Sequence, residues 1–356
     1  STILSSPRKV NVIIVGAGQS GLATAYFLKR HGIETLLLDS QHSAGGAWLK
    51  AWDSLKLFSP AQWSSLPGWA LSSSNIYPTK SELIAYLQAY EARYGFEIIR
   101  PARVISVERR DGLFDIQTSD KQLFQCRALV SATGTWGNPF IPQYANSALY
   151  EGQQIHSAYY RTPAAFTGKK VLIVGGGNSA AQILAEISHV AHTTWVTLTP
   201  PTFLPDDVDG RVLFERATLR WKAQSEGRAV TDLPGGFGDV LMIDSVKDAR
   251  VRGVLQAREP FVEFSKRGVV WQDGQEQLFD AVVWCTGFQA DSAHVNSLNI
   301  RDEEGHIDTT GTRSNRIPGL WFVGYGDWCG FASATLIGVQ RHAKSTALEI
   351  AGYLAH

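Results

Sequence analysis

Two kinds of apolar spacing succeed one another along the chain. Val10 to Val15 is a short β-branched run that stops at Gly16, and the following GQSGLATAYFLKRHG carries apolar residues at helical spacing until Gly32. Ile33 to Leu38 then reads as the next strand. The succession returns about 160 residues later. There Val171 to Val174 is the strand, AAQILAEISHV the helix and TTWVTLT the second strand. Strands alternating with helices predict an α/β fold with parallel sheets. Further strands end at RALVSATG and AVVWCTG, and Leu320 to Val323 runs into Gly324-Tyr325-Gly326-Asp327 and the small-residue helix start FASATLIGVQ. Between Pro200 and Val270, DDVDGRVLFERATLRWKAQSEGR reads as a charged amphipathic helix and LPGGFGD as a turn-rich loop.

Composition narrows the partners. The 356 residues suit two domains. Lys+Arg and Asp+Glu are both 33, so no net field favours nucleic acid or a membrane surface. A small molecule is the expected partner. Cys126, Cys285 and Cys329 are scattered, without a CxxC pair or metal-ligand spacing, which argues against a disulfide framework and a zinc site. No metal is expected, and a reducing, cytoplasmic setting fits. The polar STILSSPRK leads directly into a strand, without the apolar segment of a signal peptide or membrane span.

Chemistry enters with the two glycine turns. In Gly16-Ala17-Gly18-Gln19-Ser20-Gly21, Gly16 allows the tight turn, Gly18 lets backbone N–H groups approach a pyrophosphate, and Gly21 lets helix and strand pack closely. The anion sits at the helix N-terminus. Asp39 closes the second strand where a carboxylate would hold a ribose 2′-hydroxyl. Gly175-Gly176-Gly177-Asn178-Ser179-Ala180 is a second loop of the same kind, of GxGxxA form. Two dinucleotides in separate crevices suit a flavin and a nicotinamide between which electrons pass.

The second loop differs at its ribose end. Its second strand reads Thr197, Leu198, Thr199, Pro200, Pro201, with neither a carboxylate for NADH nor an arginine for the 2′-phosphate of NADPH. Weak discrimination between the two follows, unless Arg211 or Arg216 folds back.

Three signals place FAD at the first loop. Ser43-Ala44-Gly45-Gly46-Ala47-Trp48 combines a glycine pair with a large flat side chain. Ala132-Thr133-Gly134 and Cys285-Thr286-Gly287 are strand-ending turns of the kind at which a chain passes between dinucleotide domains. Gly326 and Asp327 could meet ribityl hydroxyls, and the helix start near Thr335 the pyrimidine edge.

These motifs in this order resemble the class B flavoprotein monooxygenases, and within them the small bacterial flavin-containing monooxygenase-like proteins. The resemblance spans nearly the whole chain. Its most specific element is the FxGxxxHxxxY/F segment, here from Tyr150 to Tyr160, matching at Gly152, His156 and Tyr160 with Tyr150 in place of Phe. Related Baeyer-Villiger enzymes usually carry Trp where Tyr160 stands. His156 reads as a hinge or linker residue between domains, not an acid or base. The resemblance implies two Rossmann-like domains, with a discontinuous FAD domain over 1–150 and 281–356 and an inserted NAD(P)H domain over 151–280.

The implied reaction has two halves. NADPH or NADH reduces FAD, and the reduced flavin with dioxygen forms a C4a-(hydro)peroxyflavin that oxygenates a small apolar sulfide or a ketone. The cofactor carries this chemistry, so no nucleophile triad is needed. Residues expected near the ring are Trp48, Ser59, Gln62, Asp327 and the Thr335 region. Larger members have an asparagine after the GGxW turn, where this chain reads Leu57-Phe58-Ser59-Pro60-Ala61-Gln62. Ser59 or Gln62 stands in its place, and a serine hydroxyl does not reproduce an amide's geometry. A shorter-lived oxygenated flavin is expected. Alternatives are an NAD(P)H oxidase releasing hydrogen peroxide and a flavin-binding redox sensor without turnover, whereas a disulfide reductase would need the missing CxxC. A homodimer is the assembly left open.

Overall fold

The computed structural model describes residues 6–54, 65–73, 78–134, 139–209, 212, 239–288, 292–325 and 336–356. The chain divides into two compact units, one comprising Ser1–Leu49, Pro60–Gly137 and Ala290–His356, the other Lys50–Ser59 and Asn138–Gln289.

The first unit begins as the apolar pattern dictates. Strand β1 (Arg8–Val15) leads through Gly16–Gly18 into helix α1 (Gln19–Arg30) and strand β2 (Thr35–Leu38). Helix α2 (Lys80–Tyr94) opens with a capping box in which Thr79 and Glu82 exchange hydrogen bonds. Strands β3 (Glu97–Ile99), β4 (Val104–Arg110), β5 (Leu113–Thr118) and β6 (Leu123–Ser131) follow.

The second unit contributes β7 (Gln153–His156), β8 (Lys170–Val174), helix α3 (Asn178–Ile187), β9 (His192–Val196), helix α4 (Asp244–Val251), β10 (Ala257–Arg258), β11 (Glu263–Phe264), β12 (Gly268–Val270), β13 (Glu276–Leu278) and β14 (Ala281–Trp284). The chain then returns to the first unit with β15 (Thr309–Thr310), β16 (Arg313–Ser314), β17 (Leu320–Phe322) and helix α5 (Leu336–Leu354).

In the first unit the parallel strands lie in the order β17-β6-β1-β2-β3, extended by the antiparallel pair β15-β16, while β4 and β5 form a ribbon on the early half of β6. Val12 to Val15 are buried without alternation, as befits a parallel strand covered on both faces. Helix α5 packs on α1. The second unit repeats the plan as β10-β9-β8-β14-β7, all parallel. There the antiparallel meander β11-β12-β13 brings Phe264, Val269 and Trp271 into one core with Leu172, Val174, Val196, Val282 and Trp284.

The expected domain boundaries near Glu151 and Asp280 move. Strand β14 lies between β8 and β7 in the second sheet, so a division at 280/281 would cut that sheet apart. The units instead meet along the chain at Gly137/Asn138 and Gln289/Ala290, just after the Ala132-Thr133-Gly134 and Cys285-Thr286-Gly287 turns. Residues Lys50–Ser59 also belong to the second unit, which the sequence did not signal. Among the described residues no helix is long and apolar enough to cross a membrane, and no cluster of His, Cys, Asp or Glu could hold a metal ion.

Candidate active site

The two glycine loops are built alike, nearly atom for atom. Gly16 N–H donates to Leu38 O at 2.8 Å, and Gly175 N–H to Val196 O at 2.9 Å. Ala132 N–H donates to Val15 O at 2.8 Å, and Cys285 N–H to Val174 O at 2.7 Å. Gly16 has φ +107 and Gly175 φ +140, backbone that a side chain disfavours. A Cβ on either glycine would lie 2.8 Å from a carbonyl carbon, that of Ala132 or of Cys285, and closer still to its oxygen. A Cβ on Gly21 would collide with Gly16 O. The matching Ala180 is fully buried, so the second loop takes the methyl that the first excludes.

Neither α1 nor α3 has a side-chain cap at its N-terminus, unlike α2. Gly18 and Gly177 are the N-cap residues. Among the described residues nothing lies within 4 Å of where a Gly177 side chain would point. Helix N-termini without a side-chain cap are the kind of cradle that a pyrophosphate uses. Ser179 is half-buried in the first turn of α3. The side chain of Asn178 is otherwise engaged, since its amide donates to Asp239 O at 3.0 Å and its carbonyl accepts from Leu241 N–H at 2.7 Å. A contribution of Asn178 to a dinucleotide therefore comes through its backbone.

Around the first loop the expected residues gather. Gly46 packs on Gly18, where a Cβ would lie 2.7 Å from Gly18 Cα. The single turn Gly46–Lys50 carries Ala47 and Trp48, and Trp48 Nε1 donates to Gln19 Oε1 at 3.1 Å. Ser20 is buried beside Gly324, and Thr133 bonds to the hydroxyl of Tyr325. Gly134, at φ +71, completes the turn.

Asp39 is buried at the end of β2 and ion-paired through Oδ2 to Arg100, which also pairs with Glu91 on α2. Its Oδ1 accepts the Gln41 N–H at 3.2 Å. Arg100 thus fixes the carboxylate while leaving it acceptor capacity for a ribose hydroxyl. Nothing in the sequence around Arg100 announced this role. Ser59, Gln62, Gly326, Asp327, Thr335, Arg211 and Arg216, like most of the expected amphipathic helix and of LPGGFGD, lie outside the described residues, and the first four positions of that expected helix, 206–209, hold a turn instead.

Beyond β9, Leu198 is 86% exposed and Thr199 is exposed, whereas Thr197 is buried and donates its N–H to Arg258 O at 3.1 Å. The segment after β9 therefore exposes an apolar side chain and a hydroxyl.

The segment from Tyr150 to Tyr160 serves the fold of the second unit. A Cβ on Gly152 would overlap the Tyr150 ring, so the glycine makes room for Tyr150, whose hydroxyl donates to Phe279 O at 2.7 Å. His156 is buried. Its Nδ1 accepts the Ala158 N–H at 3.0 Å, so Nε2 carries the proton and donates to Gly287 O at 2.9 Å. Burial lowers its pKa, and the ring pins the Cys285-Thr286-Gly287 turn as a neutral group. Tyr160 donates to Glu186 Oε1 on α3 at 2.7 Å, and Ser54 bonds to the same carboxylate. Cys126 and Cys285 are free, buried thiols whose pKa burial pushes up, unsuited to thiol–disulfide exchange.

Known proteins agree with this geometry. The family described as pyridine nucleotide-disulphide oxidoreductases matches residues 13–209. A flavin-containing monooxygenase from Stenotrophomonas maltophilia has 45% sequence identity, with 98% of this chain and 99% of that one covered and a TM-score of 0.89. An uncharacterized oxidoreductase, CzcO-like, from Geobacillus kaustophilus is 30% identical over 88% of this chain and 90% of its own length. The indole-3-pyruvate monooxygenase YUCCA1 of Oryza sativa is 26% identical over 95% of this chain and 90% of its own. With both glycine loops, their strand-ending turns and the Tyr150–Tyr160 segment in place, the chain belongs to the flavin-containing monooxygenases of the pyridine nucleotide-disulphide oxidoreductase family.

Proposed function

We propose that the first unit holds FAD at Gly16–Gly21 and the second holds NADPH or NADH at Gly175–Ala180, and that the protein uses dioxygen to oxygenate a small apolar sulfide or a ketone. The observation that supports this most is the duplicated loop, two uncapped helix N-termini behind strand-ending glycines in one chain. The bound flavin supplies hydride acceptance and oxygen activation. The protein's residues bind and orient. Backbone N–H groups at Gln19–Gly21 and Asn178–Ala180 receive the pyrophosphates, Asp39 takes the flavin-side ribose, and Trp48, held by Gln19, walls the first crevice. Ser59, Gln62, Gly326, Asp327 and Thr335 complete the flavin environment in this reading.

Leu198 and Thr199 offer neither a carboxylate against a 2′-phosphate nor a guanidinium for it. NADPH and NADH are therefore used with kcat/KM values within about a hundredfold of each other, the factor that about 2.7 kcal/mol would give. Buried free thiols at Cys126 and Cys285 suit a reducing, cytoplasmic setting. The test is anaerobic mixing of FAD-loaded protein with each nucleotide in turn. Bleaching of the flavin spectrum by both supports the reading, and absence of bleaching by either overturns it.

A further inference from the structure

A chain of hydroxyl groups runs beneath the first glycine loop. Tyr325 is almost fully buried, and its phenolic oxygen accepts the backbone N–H of Thr133 at 3.1 Å. The same oxygen is hydrogen-bonded to the Thr133 hydroxyl and, at 2.6 Å, to the Ser131 hydroxyl. Ser131 is fully buried and in turn meets Nε2 of buried His294 at 2.7 Å. A phenol has one proton to donate and two lone pairs to share. With one lone pair taken by the Thr133 N–H, its proton goes to one hydroxyl and its second lone pair accepts from the other. Burial holds the pKa of His294 down to about 4, so the chain is uncharged near neutral pH and works by hydrogen bonds alone.

The residues it ties together are those that press on the first loop. Thr133 is the middle of the turn whose Ala132 carbonyl packs against Gly16. Tyr325 follows Gly324, which has φ +87 and where a Cβ would lie 2.6 Å from Ser20 Oγ. Two turns, one from β6 and one from β17, thus bear on Gly16 and Ser20, and the Tyr325 hydroxyl sets their spacing. Phenylalanine would fill the same volume yet take this partner from the Thr133 N–H and the Ser131 hydroxyl. The equivalent turn of the second unit is held by other means. There the Thr286 hydroxyl donates to Phe140 O, the Phe140 N–H donates to Gly287 O at 2.9 Å, and His156 supplies the side-chain bond.

We infer that Tyr325 is a positioning residue for the flavin, its hydroxyl locking the Thr133 and Gly324 turns into the geometry that grips FAD. This rests on the reading of the first loop as the FAD site.

The experiment uses the full chain, stripped of flavin and titrated with FAD while its fluorescence is followed, with the absorption spectrum and midpoint potential of the bound flavin then recorded. Tyr325→Phe is expected to melt, flavin-free, within a few degrees of the parent, to bind FAD about tenfold more weakly, and to shift the flavin band and potential. Ser131→Ala keeps the Thr133 N–H bond and is expected to lose about threefold. A Tyr325→Phe protein whose FAD Kd, spectrum and potential match the parent overturns the inference and leaves the FAD reading standing. Should that variant fail to fold, an unchanged Kd and spectrum in Ser131→Ala overturns it instead. A parent protein that takes up no FAD overturns the reading of the first loop, and the inference falls with it.

Discussion

Gly175 approaches Cys285 so closely that a methyl group on it would lie 2.8 Å from the Cys285 carbonyl carbon, and Gly16 stands in the same relation to Ala132 at the same distance. Two turns about 160 residues apart have converged on one packing solution. Each is a first glycine, in a backbone conformation that side chains avoid, wedged under the strand-ending turn of its own sheet.

The glycines of one loop consequently have separable roles. Gly175→Ala forces a backbone clash and is expected to unfold the second unit, read as loss of its melting transition. Among the described residues a Cβ on Gly177 meets nothing within 4 Å, and Gly177→Ala is expected to fold like the parent. Its methyl nevertheless occupies the space in which a pyrophosphate would approach, so nicotinamide dinucleotide binding should weaken by at least about tenfold in a titration.

The Arg100 guanidinium pairs with Asp39 and Glu91, and all three side chains are largely buried. Removing the cation leaves two carboxylates facing each other out of water. Arg100→Met should cost about 3–5 kcal/mol in denaturant unfolding, with part recovered when Asp39→Asn and Glu91→Gln are added. Asp39→Asn in an otherwise intact protein should act mainly on FAD affinity.

How much of this was legible follows the range of the interactions. The glycine turns, the helices behind them and the parallel strands are set by neighbours in sequence, and Val10–Val15 and Val171–Val174 fall within observed strands. The unit boundaries were not legible, because β14 and β17 are both short, apolar and followed by glycine, and only their hydrogen-bond partners assign them to different sheets. The partnerships Arg100–Asp39 and Tyr325–Ser131–His294 join residues far apart in the chain and leave no local pattern. Asn178 shows the converse. Its place in the loop motif suggested a ligand contact, while its amide bonds to the backbone of Asp239 and Leu241.

Acid should loosen the first unit through His294. Its folded pKa of about 4 lies below the 6.5 of an unperturbed histidine, so the unfolded chain binds the proton first as pH falls. The stability this group contributes is complete above about pH 6.5 and drains away as pH drops from there toward 4, to a limit on the order of 3 kcal/mol. His294→Asn, monitored by urea unfolding across that window, should flatten the dependence.

His156 is placed as a structural group, its two ring nitrogens bonded to the Ala158 N–H and the Gly287 carbonyl. His156→Ala should lower stability by about 2 kcal/mol. The pH–rate profile of the folded fraction should keep the shape of the parent's. Disappearance of a limb would assign the residue an acid–base role instead.

The central claim is that electrons taken from a nicotinamide nucleotide at the second loop and delivered to flavin at the first leave the protein in an oxygenated product. The direct measurement is sulfoxide formed per nucleotide oxidised when FAD-loaded protein, NADPH and methyl tolyl sulfide are incubated in air. Sulfoxide appearing together with substrate-stimulated oxygen consumption is the predicted result. Hydrogen peroxide accumulating in full proportion to NADPH, with no sulfoxide, would contradict it.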